Sequence, residues 1–180
     1  MRKTLLLFTT MALALLLAAG MAWADTVRPT VVSTGTVPST TPPLTAVDPT
    51  ANITAKFSEA MKARSINTNT FYLLQGHFTA LSQTKNPKRF CTTGTPPVTA
   101  ACPAAIPATV SYDANTLTAT LNPTSTLLPG TEYTAVVEGT GDGDMVAVKD
   151  TGGTPMLVTG TGDYIFYFTT AGSGGDHPTL

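Results

Sequence analysis

Residues Thr109 to Val137 read TVSYDANTLTATLNPTSTLLPGTEYTAVV, and this stretch decides the fold of the chain. Apolar residues occupy every second position in three successive runs: Val110, Tyr112; Leu117, Ala119, Leu121; Tyr133, Ala135, Val137. Turn residues separate the runs: Asp113-Ala114-Asn115, Asn122-Pro123 and Pro129-Gly130. A period of two turns one face of each strand to a core and leaves the threonines in solvent. The pattern predicts an antiparallel β-hairpin, a corner and a third strand.

The N-terminal segment, residues 1–24, is typical of a secretory signal peptide. Arg2 and Lys3 precede an apolar run from Thr4 to Ala19, and Ala22-Trp23-Ala24 supplies small residues at the cleavage positions. An uncleaved membrane anchor is the alternative, but the run is short for one. Cleavage after Ala24 leaves 156 of the 180 residues, enough for one domain with a core.

Composition and charge narrow the class of protein. The whole chain has a net charge of −1, and loss of Arg2 and Lys3 takes it to −3. Such a weak charge gives no reason to expect nucleic acid or an anionic membrane as partner. Only 12% of the residues are charged, and there are 15 glycines and 14 prolines, which favours short strands joined by turns. We expect one all-β domain over residues 25–170 and a flexible tail over residues 171–180.

Two cysteines, Cys91 and Cys102, lie in the exported part of the chain. An even count in an oxidising compartment favours a disulfide between them. Free thiols or metal ligands are the alternatives, although no histidine, aspartate or third cysteine lies nearby at ligand spacing. The predicted bond closes a ring of 12 residues and staples a long loop.

The rest of the chain adds further strands and two loops. A first strand is predicted at Val31-Val32, and three more are predicted over Ile53 to Phe57, Thr70 to Leu74 and Tyr164 to Thr170. We expect a loop over Gly35 to Pro49 and one helical turn over Ser58 to Lys62, with Ser58 as its N-cap.

The segment Gln75 to Pro107 interrupts this rhythm and is long for a structureless loop. It is interpreted either as an inserted β-excursion clipped by the disulfide or as a variable functional surface. Its basic cluster, Lys85 to Arg89, fits a solvated loop better than an anion or polysaccharide contact.

Residues with catalytic or metal-binding chemistry are few. His77 and His177 lie far from any nucleophile motif, and Glu59, Glu132 and Glu138 are single carboxylates. We therefore expect no catalytic residue and no cofactor. Weak calcium candidates are Asp142, Asp144 and Asp150, because alternate aspartates in a glycine-rich loop supply oxygen ligands. A flexible polar turn is the simpler interpretation of that loop.

Short motifs follow one another in a fixed order along the exported chain. The first half has Asp25-Thr26, Pro29, ITAKFSEAM (53–61), SIN (65–67) and TF (70–71). The second half has VSYD (110–113), TATLNP (118–123), LPGTEYT (128–134), VKD (148–150) and FTT (168–170). This order resembles the bacterial Ig-like domains of S-layer proteins of the SbsA type. The resemblance implies an all-β, immunoglobulin-like antiparallel β-sandwich, here with a long disulfide-clipped loop.

The resemblance also implies a role rather than a reaction. We expect a non-catalytic, secreted module of extracellular or cell-surface structure, adhesion or protein interaction. Its expected partner is a cell-envelope protein or polysaccharide. The alternative is a carbohydrate-binding module of the cell envelope, which requires exposed aromatic side chains such as Tyr72, Tyr164 or Tyr167.

Export gives the first testable prediction. The secreted protein should begin at Asp25, because the segment before it has a basic start, an apolar centre and small residues at the cleavage positions. N-terminal sequencing of secreted material checks this, and residues upstream of Trp23 at the N-terminus would contradict it.

Overall fold

A computed structural model describes residues 28–35, 44–83, 89–93, 98–140, 146–158 and 162–172. For residues 34–35, 44–46, 80–83, 89–93 and 98–100 it describes the backbone alone. The predicted signal peptide and most of the predicted tail lie outside these ranges. Within them, no helix has the length and apolarity needed to cross a membrane.

Strands make up nearly all of the regular structure. They are β1 (Val31–Gly35), β2 (Leu44–Val47), β3 (Ile53–Phe57), β4 (Phe71–Gln75), β5 (Ala80–Gln83), β6 (Arg89–Thr93), β7 (Val98–Ala101), β8 (Ala108–Asp113), β9 (Thr118–Pro123), β10 (Glu132–Val137) and β11 (Tyr164–Thr170). One turn of 3-10 helix, Ala63–Ser65, lies between β3 and β4.

The strands form two four-stranded sheets and one three-stranded sheet. Sheet A has the order β1-β3-β9-β8, sheet B has the order β2-β11-β10-β4, and the third sheet is β5-β6-β7. Neighbouring strands are antiparallel except β2 and β11, which run parallel. The predicted hairpin is β8–β9, and the corner after it carries the chain from sheet A into sheet B. The predicted all-β, immunoglobulin-like antiparallel sandwich is confirmed.

The main core lies between sheets A and B. In sheet A, register aligns Ile53 with Leu121, which pairs in turn with Val110. In sheet B, Ala135 pairs with both Leu73 and Phe166. These cross-strand neighbours lie on the core-facing side of each sheet, as the alternating pattern predicts. Each large aliphatic or aromatic side chain buried here contributes roughly 1.5–3 kcal/mol to folding.

Strand β10 has a second buried face, which the sequence pattern did not predict. Thr134 is fully buried, although the alternation placed the threonines in solvent. Its hydroxyl donates to the Gly76 carbonyl (2.6 Å) and accepts from the Phe78 amide (3.0 Å). Val136 packs in a small outer cluster with Tyr72 and Leu74, and Phe78, Cys102 and Ile165 pack against that cluster. Because its hydroxyl is satisfied, Thr134 tolerates this burial.

Leu117 departs from its predicted place on the inner face of a strand. It lies in the β8–β9 turn with φ of 58°, in the left-handed region that costs a non-glycine residue roughly 1–2 kcal/mol. The neighbouring structure holds it there, since the Phe57 amide donates to the Leu117 carbonyl (2.9 Å). Ala119 and Leu121 do face the core as predicted.

Three local predictions near the turns are wrong. Ser58 does not cap a helix; its hydroxyl accepts the Thr30 amide and joins the chain entering β1 to the end of β3. The expected loop of Gly35 to Pro49 contains β2, which is defined by pairing with β11 rather than by alternation. Asn122 and Pro123 belong to β9, opposite Thr109 and Ala108 of β8.

Tyr133 connects the corner to the core. Its ring is buried and stacks on Phe168 with 5.8 Å between ring centroids. Its hydroxyl accepts the Leu128 amide at 2.9 Å. This is a tyrosine corner, in which the side chain fixes the turn that precedes its own strand.

Two substitutions of Tyr133 should distinguish the contribution of its hydrogen bond to stability from the contribution of its packing. Tyr133→Phe should cost about 1 kcal/mol of unfolding free energy, because the Leu128 amide loses its acceptor. Tyr133→Ala should cost roughly 3–5 kcal/mol, since it also opens a cavity. Denaturant melts measure both, with the half-exposed Tyr167→Phe as control, expected within about 0.5 kcal/mol of wild type. A Tyr133→Ala protein as stable as wild type would contradict this role of the corner.

Candidate functional site

Within the segment Gln75 to Pro107, the described residues form a β-meander, which agrees with the β-excursion that the sequence offered as one interpretation. Strand β6 pairs with β5 and β7. Cys102, just after β7, packs against the outer cluster on sheet B. The insertion therefore covers part of the outer face of that sheet. The basic residues before Arg89 lie outside the described ranges.

The backbone register bears on the predicted disulfide. Cys91 pairs with Ala100 in the β6–β7 hairpin, so Cys91 and Cys102 lie on the same face and two residues apart along it. The described part of the chain contains no free cysteine, but the Cys91 side chain lies outside it. The disulfide stays a prediction.

Peptide mapping tests the bond directly. Mass spectrometry of unreduced digests should find Cys91 linked to Cys102, and recovery of two alkylated thiols would contradict this. The ring constrains the unfolded chain by roughly 3 kcal/mol in the chain-entropy model. Reduction should loosen the insertion and leave the sandwich folded, because no strand of sheets A and B lies inside the ring. A Cys91→Ser, Cys102→Ser double variant, treated with the same reductant, is the control.

Asp150, one of the three calcium candidates, is buried in a turn. Its Oδ1 accepts the Thr154 amide at 2.7 Å, and its own amide donates to the Thr154 carbonyl at 2.9 Å. Asp142 and Asp144 lie outside the described residues. Within the described ranges, no three histidine, cysteine, aspartate or glutamate side chains form a group able to hold a metal. The calcium site stays a prediction, and the observed contacts of Asp150 stabilise its own turn.

Two carboxylates near the end of β10 are buried, which the sequence analysis did not predict. Glu138 is fully buried and accepts the Tyr72 hydroxyl at 2.5 Å. Asp163 is 2% exposed, and its Oδ1 accepts the Gly139 amide at 3.1 Å. The signal was the unbroken apolar run Ala135 to Val137, since burial on both faces removes the alternation. A polar residue that continues such a strand enters an interior and needs a partner.

Gly139 lies where two backbone segments approach each other closely. A Cβ at this position would stand 2.1 Å from the Gly162 carbonyl oxygen and 3.0 Å from that of Met156. Both are backbone atoms, so no side-chain rotation relieves the clash. The absence of a side chain at Gly139 thus allows the segment that contains Glu138 to approach the segment that contains Asp163.

Gly139→Ala should therefore destabilise the protein by roughly 1–3 kcal/mol or more, through overpacking against backbone. Gly172→Ala is the matched control, because no atom lies within 4 Å of its added Cβ. Thermal or denaturant melts compare the two variants. Equal stabilities would show that the segments separate without cost.

Two exposed aspartates have lowered pKa values because they cap turns. The Asn115 amide and then the Thr116 hydroxyl hold the pKa of Asp113 below its ordinary 3.8. The Thr50 amide and hydroxyl do the same for the pKa of Asp48. A lowered folded-state pKa adds stability above the unfolded value, and that stability is lost as the pH falls through the folded value.

The β8–β9 turn should therefore weaken in acid. Melting temperatures measured below and above pH 3.8, the ordinary carboxyl value, should fall more for wild type than for Asp113→Asn. The asparagine keeps an acceptor for the turn but does not titrate. An identical acid-induced fall in both proteins would contradict a contribution from Asp113.

The three tyrosines considered for carbohydrate binding do not form the platform that such a site requires. Tyr72 is 2% exposed, and Tyr164 packs against the main core. Tyr167 is half-buried and lies against the His77 ring, 4.1 Å between centroids. His77 Nδ1 also lies 3.4 Å from Glu132 Oε1, beside the start of β10. The three tyrosines named from the sequence therefore share no exposed face.

The order of the strands and the tyrosine corner together define an immunoglobulin-like sandwich. The family model described as a bacterial Ig-like domain matches residues 25–170. The chain belongs to the bacterial Ig-like domain family, as its motif order predicted. No curated protein matches the chain.

Solved structures similar to this chain come from an S-layer protein. The crystal structure of the S-layer protein rSbsC is 18% identical, with a TM-score of 0.41 over 81% of this chain and 14% of that one. A structure of domains 1–6 of surface layer protein SbsC has 18% identity, a TM-score of 0.42 and the same coverage. The N-terminal part of SbsC is 17% identical with a TM-score of 0.41, over 81% of this chain and 24% of that one. The chain thus spans less than a quarter of each structure's length.

Proposed function

We propose that the chain is a non-catalytic, exported Ig-like module that serves in cell-surface or extracellular structure, adhesion or protein interaction. The observation that supports this proposal is that the buried carboxylates accept hydrogen bonds from other groups of the fold. Glu138 accepts from Tyr72, Asp150 from the Thr154 amide and Asp163 from the Gly139 amide. A catalytic acid or base has to reach a substrate proton, whereas these three groups bond to the fold itself.

Family membership and the predicted signal peptide support the location. A bacterial Ig-like domain with a basic, apolar and then small-residue leader is suited to the envelope or the outside of the cell. We propose a protein of the cell envelope as partner. Polysaccharide is the less favoured partner, because the named tyrosines do not align on one exposed face.

Surface exposure on intact producing cells tests the proposed location. A C-terminally tagged full-length chain should appear in the envelope or the medium and should be digested by protease added to whole cells. A chain lacking residues 2–24 is the matched control, and it should stay in the cytosol and be protected. Retention of the full-length chain in the cytosol would contradict the proposal.

Co-sedimentation with isolated cell-wall polysaccharide tests the alternative function. The half-exposed Tyr167, with the His77 ring tilted against it, is the single observation that favours carbohydrate binding. Loss of sedimentation in Tyr167→Ala, but not in the inward-facing Tyr164→Phe, would favour that function. We expect the wild-type protein to remain in the supernatant.

A further inference from the structure

Four strands form the edges of the two sandwich sheets: β1 and β8 in sheet A, β2 and β4 in sheet B. An edge strand presents backbone donors and acceptors to solvent and pairs readily with another chain. Proteins block such edges with bulges, covering segments or inward-pointing charges. The four edges of this sandwich differ in how far they are blocked.

Three of the four edges carry a recognisable block. The register of β1 shifts between Val31 and Ser33, and that of β2 shifts along its pairing with β11. The edge of β4 is covered by the chain leading into β8, since the Ile106 amide donates to the Leu73 carbonyl at 2.8 Å. Each of these three strands therefore offers a second copy a less regular edge than an unbroken, uncovered strand does.

Strand β8 carries none of these devices in the part of the chain that the structure describes. Its six residues pair with β9 in unbroken register, and β9 is its one partner among the described strands. It contains no lysine, arginine or proline, and its one charge, Asp113, stands at its end and is held by the following turn. Thr109 and Ser111 are exposed on the outer face, and Val110 and Tyr112 are half-buried on the inner one.

We propose that β8 pairs antiparallel with β8 of a second copy of this chain, about a two-fold axis at Ser111. Paired residues in an antiparallel ladder share a face, so Ser111 meets Ser111 of the other copy. Val110 then lies beside Tyr112 of the other copy, twice by symmetry. Sheet A becomes one continuous eight-stranded sheet across the dimer.

The side chains of β8 are self-complementary in this register. A β-branched residue beside an aromatic one is a favourable cross-strand pair, and both side chains are only partly covered by the core of their own copy. Thr109 lies beside Asp113 of the other copy, so a hydroxyl meets each carboxylate and no two carboxylates are opposed. A foreign strand gains the same backbone bonds but not this symmetric match, which is why we assign a second copy as the occupant.

Charge reversal at the axis tests the pairing. The exported wild-type protein should approach twice the monomer mass in sedimentation equilibrium as its concentration rises to about 1 mM. Ser111→Lys and Ser111→Glu each place two like charges opposite one another and should weaken the dimer about tenfold at low salt. An equimolar mixture of the two variants should restore it, because the charges across the axis are then opposite.

Thr54→Lys is the matched control, since Thr54 lies on the outer face of the same sheet but two strands away from β8, opposite Thr120. It should dimerise like wild type. Circular dichroism confirms that each variant is folded, which is expected because Ser111 is exposed. A wild-type protein that stays monomeric, a mixture that fails to recover the dimer, or disruption by Val32→Lys on β1 but not by Ser111→Lys would each overturn the proposal.

Discussion

Strand β10 is buried on both of its faces, and the rest of the structure depends on this constraint. Its inner face, with Tyr133, Ala135 and Val137, lies in the main core. Its outer face carries Thr134 and Val136, which solvent would otherwise reach. The insertion after β4 supplies the cover, so a segment that interrupts the sandwich in sequence completes it in space.

The same constraint explains why the buried polar side chains near β10 accept or donate hydrogen bonds within the fold. Burial of a hydroxyl or a carboxylate without a partner costs several kcal/mol. Thr134 makes two hydrogen bonds to the backbone, and Oε1 of Glu138 accepts a hydrogen bond from the Tyr72 hydroxyl. Polar side chains here fix the position of the insertion and of the chain after β10, which apolar packing alone would leave less well defined.

The sandwich could be predicted because several of its strands obey a local rule. Alternation in β8, β9 and β11 follows from one face meeting a core, and each residue reports its own face. Strand β2 was not predicted, since its backbone pairing with β11 defines it rather than an alternation of apolar and polar residues. Leu117 escapes because a contact from Phe57, distant in sequence, holds it in the left-handed region. In the candidate site, Asp150 was predicted as a calcium ligand, yet its observed hydrogen bonds lie within its own turn. The burial of Glu138 and Asp163 was not predicted, because their hydrogen-bond partners are distant in sequence.

The parallel pairing of β2 with β11 has a mechanical consequence. Phe168 stands beside Leu44, Thr170 beside Val47, and the Ala171 amide donates to the Val47 carbonyl at 2.8 Å. A pull on the chain before β2 and after β11 draws the two strands in opposite directions along their length. Their hydrogen bonds are then loaded in shear and together, rather than opened one at a time. A domain held at both ends would resist tension along this pair of strands.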